Sequence, residues 1–184
     1  MHYKMISFNS KITKKLLSYY FLHDEKELYF NQIAKKLSLD KRNLSKKLKE
    51  FVNLGLFNEE KKGNQKYYSL NKKHPLYDEY KKIVLKTFGV EAKLKELFED
   101  NKKIEKAYIF GSYAENKMDM SSDIDVLIVG EISLKEVNKL IINYQQQIDR
   151  ELNPVVMSSK EFKKREAEKD TFIENVFKKN IELK

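Results

Sequence analysis

At 184 residues, with 41% hydrophobic and 12% aromatic side chains, the chain is globular in composition and long enough for one domain or two small ones. No run approaches the ~20 consecutive apolar residues that a bilayer span requires, and Met1 to Ser10 lacks the apolar stretch of a secretion signal. Cysteine is absent, which excludes disulfides and thiolate metal sites, so a cytoplasmic protein without a membrane partner is expected. The net charge of +9 is unevenly placed. Residues 1–73 carry 17 Lys+Arg against 7 Asp+Glu, whereas the remainder carries 20 against 21. A lysine-rich composition alone would make both parts basic. The asymmetry points instead to a polyanion meeting the first part only.

Ile12, Leu16, Leu17, Tyr20 and Phe21 recur at helical spacing and predict a first amphipathic helix. Glu27–Phe30 reads as a short extended segment, with Asn31 as N-cap of a helix over Gln32–Leu37. Ser38-Leu39-Asp40 forms a tight turn, and Asp40 caps a longer helix from Lys41 to Leu54 that buries Leu44, Leu48, Phe51 and Val52. Gly55 ends that helix. Leu56–Glu60 and Lys66–Leu70 then alternate as strands around the turn-forming residues 61–65.

Three helices followed by a β-hairpin resemble a winged helix-turn-helix, over roughly residues 8–72. With the apolar side of its longer helix turned inward, Lys41, Arg42, Asn43, Ser45, Lys46 and Lys49 project outward. That set joins phosphate-binding cations to side chains able to contact base edges in a major groove. Lys61, Lys62 and Lys66 sit on the wing, within reach of a neighbouring phosphate. The expected partner is double-stranded DNA, and a homodimer is a common arrangement among such domains. A solvated lysine-rich face and a protein-binding winged helix are the alternatives.

A helical connector over residues 74–103 follows. Leu76, Tyr80, Ile83, Val84 and Phe88 form one apolar stripe as far as Gly89, and Leu94, Leu97 and Phe98 form another. No Gly/Ser-rich linker interrupts it.

Ile104–Phe110 is an apolar strand ending at Gly111-Ser112. After a ten-residue spacer, Asp123-Ile124-Asp125 opens a second apolar strand, Val126–Val129. Aspartates two apart on a strand face one side, and two adjacent carboxylates repel unless a cation lies between them. The pair therefore reads as a site for a divalent metal. The backbone N–H groups of the Gly111-Ser112 turn and the Ser112 hydroxyl are placed to hold phosphate.

Gly-Ser, ten residues, then Asp-x-Asp, within "IFGSYAENKMDMSSDIDVLIVG", resembles the signature of polymerase-β-type nucleotidyltransferases, nearest to their minimal, MNT-type members. The resemblance implies an α+β chain: a winged helix-turn-helix over 1–73, the connector over 74–103, and over 104–184 a small mixed sheet with helices on one face. It implies Mg²⁺ or Mn²⁺ as cofactor and transfer of a nucleoside monophosphate from an NTP to a protein or small-molecule acceptor. Carried across residue by residue, Gly111 and Ser112 bind phosphate, while Asp123 and Asp125 ligate metal and serve catalysis.

Two positions depart from the family pattern. Asn116 stands where a glycine is frequent, a mild change because asparagine tolerates left-handed backbone. The third carboxylate, expected on the strand Glu151–Met157 after a helix over Leu134–Ile148, falls on Asn153. An amide is no base and a weak metal ligand, and Glu151, one pleat away on the same side, is the candidate substitute. Pro154 marks an edge strand or a bulge. In the tail, Ser159 is read as the cap of a helix from Lys160. Phe162, Phe172, Ile173, Val176 and Phe177 face a core, and Lys163-Lys164-Arg165 lies on a solvated face. His2, His23 and His74 have no ligand spacing. Three functions stay open: a DNA-binding regulator with an active nucleotidyltransferase, a regulator whose second domain only binds nucleotide, and an enzyme acting on nucleic acid.

Overall fold

A computed structural model of the chain describes residues 5–119 and 122–184, and its contacts divide the chain into two compact units, Met1–Val90 and Glu91–Lys184. His2, and Met120 and Ser121 of the Gly-Ser…Asp-x-Asp phrase, lie outside the described residues.

In the first unit, α1 (Lys11–Leu22) buries Leu16, Leu17, Tyr20 and Phe21 completely or nearly so. Leu28–Tyr29 forms β1, and α2 (Phe30–Lys36) follows without a gap. Asn31 is therefore not the cap. Tyr29 is, because its pairing with Tyr67 holds it extended until the helix begins; its N–H donates to Gln32 Oε1 at 3.1 Å. α3 (Lys41–Asn53) is capped as expected, Asp40 accepting from the Asn43 N–H at 2.9 Å. Such a cap contributes about 1 kcal/mol. Gly55 takes φ +74° just beyond α3, so that Gly55 and Leu56 return their N–H groups to Val52 and Phe51.

β2 (Phe57–Lys62) and β3 (Gln65–Leu70) run further than the alternation predicts, since Lys61 pairs with Lys66 and Lys62 with Gln65, leaving a two-residue turn at Gly63-Asn64. β1 adds to the other side of β3, giving the order β1-β3-β2. α4 (Tyr77–Thr87) packs on α1. Its inward stripe runs through Tyr77, Tyr80, Val84 and Leu85, which turns Ile83 outward at 39% exposure against expectation. Asp24 ties the loop after α1 to α4 and to the end of β3, accepting from Tyr77 Oη at 2.9 Å and Lys81 Nζ at 2.7 Å and pairing with Lys72 at 3.0 Å.

The second unit orders its elements as α5 (Val90–Glu99, starting at the boundary residue), β4 (Ile104–Phe110), α6 (Gly111–Glu115), β5 (Ile124–Gly130), α7 (Leu134–Ile148), β6 (Leu152–Met157), α8 (Ser159–Ala167), α9 (Thr171–Lys178) and β7 (Ile181–Glu182). The sheet order is β6-β5-β4-β7. β5 runs antiparallel to β4 and parallel to β6, and α7 makes the crossover that a parallel pair requires. β6 is an edge, which accommodates Pro154. The short β7 closes the other edge and has no alternation from which to predict it.

Tyr108, Leu127, Val129 and Met157 pack against Phe162, Ile173 and Val176 from α8 and α9. The alternate β5 residues Ile124, Val126 and Ile128 are also fully buried, so helices on one face only is corrected: β5 is covered on both sides, as its unbroken apolar run requires. Phe177 stays 40% exposed while its ring edges against Tyr108 and Phe162. Ser158, not Ser159, caps α8 by accepting from the Glu161 N–H at 3.1 Å. Among the described residues, no helix is long and apolar enough to cross a membrane.

Candidate functional site

On α3, Lys41, Arg42, Asn43, Lys46 and Lys49 are exposed and Ser45 is half-buried. Leu44, Leu48 and Phe51 fill the opposite face, which fixes that orientation. Among the described residues, Lys41, Arg42, Lys46 and Lys49 form no ion pair. The hairpin differs. Lys62 bonds Glu27 and also lies 3.5 Å from Glu60, while Lys66 bonds Glu59 and, as the main cause, holds that carboxyl below its usual range. Lys61 is exposed at the tip. The sheet thus neutralises two of the three wing lysines from its own strands and from the loop before β1.

In the second unit, β4 and β5 bring the Gly-Ser and Asp-x-Asp phrases together. Phe110 pairs with Asp125, so the chain leaves β4 beside that carboxylate. Gly111 then takes φ +68°, and a Cβ placed there would come within 2.5 Å of Asp125 Oδ2. Glycine is needed twice over, for its backbone angle and for the close approach. The next turn is α6, ended by Asn116 in the left-handed conformation at φ +59°. The Lys117 N–H closes back on the Ser112 carbonyl at 2.8 Å. Lys117 also pairs with Glu115 at 2.7 Å and lowers the pKa of its carboxyl.

Asp123 is exposed immediately before β5, and Asp125 is half-buried within it. Asn153 is the register partner of Asp125 on β6, and its Nδ2 donates to Asp125 Oδ1 at 3.0 Å. Glu151 is exposed one residue before β6, as Asp123 is before β5, and its carbonyl accepts from the Ile124 N–H at 3.0 Å. Among the described residues, no group of three or more His, Asp or Glu side chains is placed to hold a metal ion. The donor set is two carboxylates. A magnesium-like ion held by these two would have to take its remaining ligands from phosphate and water.

Two nearby residues escaped the sequence reading. Arg150 is 8% exposed, and its Nη1 donates to the carbonyls of Asp119 and Ser122, both at 2.9 Å. A lone arginine after a helix carries no periodic signal of burial. Lys179, leading into β7, donates to the Glu115 carbonyl at 3.3 Å, and only the unforeseen β7 brings it there. His23 and His74 are buried parts of the first unit; His74 Nδ1 accepts from the Leu76 N–H at 3.1 Å.

Two solved structures are similar to part of the chain. One is a toxin–antitoxin with AMP-PNP, at 22% identity and TM-score 0.39, covering 51% of this chain and 72% of that one. The other is a mutant of the toxin–antitoxin MntA-HpeT, at 19% identity and TM-score 0.38, with the same coverage. No curated protein matches. The profile of the family "Polymerase beta, Nucleotidyltransferase" matches residues 92–184, from α5 to the last residue. That span takes in the whole sheet and every residue of the carboxylate site just described, and the chain belongs to this family.

Proposed function

We propose that the chain is a DNA-binding regulator whose C-terminal unit binds a nucleoside triphosphate with a divalent metal, and that nucleotidyl transfer there is blunted. The observation that carries this reading is the Asn153 amide, which donates to Asp125 Oδ1 at 3.0 Å. Transfer requires an acceptor hydroxyl to lose its proton, attack the α-phosphorus and expel pyrophosphate. A carboxylate beside Asp125 can take that proton or share a metal, whereas an amide is neutral and offers a donor instead. Binding is less demanding. Asp123 and Asp125 would hold Mg²⁺ or Mn²⁺, and Gly111 and Ser112 would face the phosphates; the bound ion neutralises phosphate charge. Glu151 remains the candidate for the missing acid.

The N-terminal unit is read as a winged helix-turn-helix that sets α3 in the major groove of double-stranded DNA. Support comes from the element order and from the cations that α3 leaves unpaired. Lys62 and Lys66 take a lesser role, since both already have carboxylate partners, while Lys61 stays available at the tip. A second reading, active transfer to a protein or small-molecule acceptor, is favoured by the close packing of Gly111 on Asp125, which sets the Gly-Ser turn directly beside that carboxylate.

One experiment separates the readings. Nucleotide binding and transfer of α-labelled NTP are measured with Mg²⁺ or Mn²⁺ for the wild type, Asp123→Ala/Asp125→Ala and Asn153→Asp. The expected result is binding by the wild type, its loss in the double variant, background label on wild type and lysate, and increased label with Asn153→Asp. Strong wild-type label that depends on both aspartates would establish the second reading. Absence of nucleotide binding would sink both.

A further inference from the structure

We propose that Arg150 is a positioning residue that sets the backbone of Asp123, and through it the affinity of the carboxylate pair for a divalent cation. The inference rests on the metal-binding reading of Asp123 and Asp125 above. Arg150 is buried to 8% exposure between α7 and β6, where no catalytic step calls for it. The chain is delivered there by Asp149, which ends α7 in the left-handed conformation at φ +54°. From this position Nη1 donates to the Asp119 and Ser122 carbonyls at 2.9 Å each.

Ser122 immediately precedes Asp123. On the other side of Asp123, the Ile124 N–H donates to the Glu151 carbonyl at 3.0 Å. Both peptide groups flanking Asp123 are thus held by the dipeptide Arg150-Glu151, one through a side chain and one through the backbone. Ser122 adds a local brace, its hydroxyl accepting from the Asp119 N–H at 3.0 Å and donating to Asp119 Oδ1 at 2.9 Å. Asp125 needs no such help, being inside a strand and bonded to Asn153. Asp123 lies outside the ladder, and its carboxylate direction depends on these two peptides.

Two accounts of Arg150 predict opposite signs. If it acted only through its charge, removing a cation from the same unit would strengthen cation binding. If it positions Asp123, removing it weakens binding, because the metal then has to fix the Ser122–Asp123 peptide itself. The probe is Mn²⁺ alone, titrated into the full chain and followed by electron paramagnetic resonance, with amide chemical shifts of Asp119, Ser122 and Asp123 read in parallel. Arg150→Met should weaken Mn²⁺ binding about tenfold and shift those amides. Arg150→Lys, which keeps the charge and one donor group, should recover part of the affinity. Combined with Asp123→Asn, Arg150→Met should cause little further loss, since both act through one ligand.

Unchanged or tighter Mn²⁺ binding by Arg150→Met, with the wild type binding normally, overturns the positioning role while leaving the nucleotide reading intact. Unshifted Asp119, Ser122 and Asp123 amides overturn it as well. A wild type that takes up no Mn²⁺ overturns the metal reading and this inference together. Should Arg150→Met fail to fold, Arg150→Lys carries the same comparison.

Discussion

In the first unit, the hairpin sets Lys62 and Lys66 against Glu27, Glu59 and Glu60, while Lys41, Arg42, Lys46 and Lys49 on α3 form no ion pair among the described residues, Lys49 acting on Glu59 only at longer range. In the second unit the sign reverses. Asp123 and Asp125 form no ion pair among the described residues, and Asp125 accepts instead from the neutral amide of Asn153. Both regions are rich in charge, yet charge density does not separate a surface suited to binding from one that is internally satisfied. Pairing does. A cation already bonded to a strand neighbour has to give up that partner before a phosphate gains it, and a paired exposed lysine contributes little to begin with.

The largest expected effect tests α3 against the hairpin. Replacing Lys41, Arg42, Lys46 and Lys49 with alanine should weaken duplex DNA binding by about 10²-fold or more and lower the salt slope by about 3 to 4. Replacing Lys62 and Lys66 should change affinity less than about threefold. Equal losses from the two sets, measured by fluorescence anisotropy across a salt series, would break the comparison.

A smaller effect concerns the carboxylate site. Gly111→Ala forces a Cβ to within 2.5 Å of Asp125 Oδ2 at φ +68°, whereas Gly55→Ala, at φ +74°, meets nothing nearer than His74 Cδ2 at 3.9 Å. Chemical denaturation should show a loss of about 1 kcal/mol at Gly55 and at least about twice that at Gly111. Equal losses would mean that Asp125 moves aside freely and that the approach is not a constraint.

The smallest effect is on stability alone and probes a satisfied acid. Burial pushes the Asp24 carboxyl up, but its bonds to Lys81 and Lys72 outweigh this and leave its pKa below the ordinary value of 3.8. A carboxyl so depressed adds stability that is present above its unfolded pKa and is lost as pH falls through the lower folded value. Asp24→Asn should cost about 1 to 2 kcal/mol at neutral pH. The gap between wild type and variant should close as the pH drops below about 4. A gap independent of pH would show that geometry, not charge, sets the contribution of Asp24.

Much of the fold was legible along the chain because its signals are local. The periodicity of α1, α3 and α7, the Asp40 cap and the Gly55 stop each depend on residues a few positions apart. So does the spacing of Gly111-Ser112 and Asp123-Ile124-Asp125, which pointed to the carboxylate pair, while the expectation that the third position falls on Asn153 came from the family resemblance and the apolar strand around it. What was illegible depends on pairing across the chain. Tyr29 replaced Asn31 as a cap because β3 holds it extended. Lys62 and Lys66 lost their freedom to acids brought near by strand register and by the loop before β1. β7 is two residues long and exists because β4 has an edge to fill. The sequence by itself determined which residue types meet at the site and that an amide stands among them. Only the tertiary structure decided that this amide donates to Asp125, that Gly111 closes on the same carboxylate, and that Arg150 braces the backbone before Asp123. Hydrogen bonds between segments about 30 residues apart are set by sheet register and chain crossover, and neither leaves a periodic trace in the sequence.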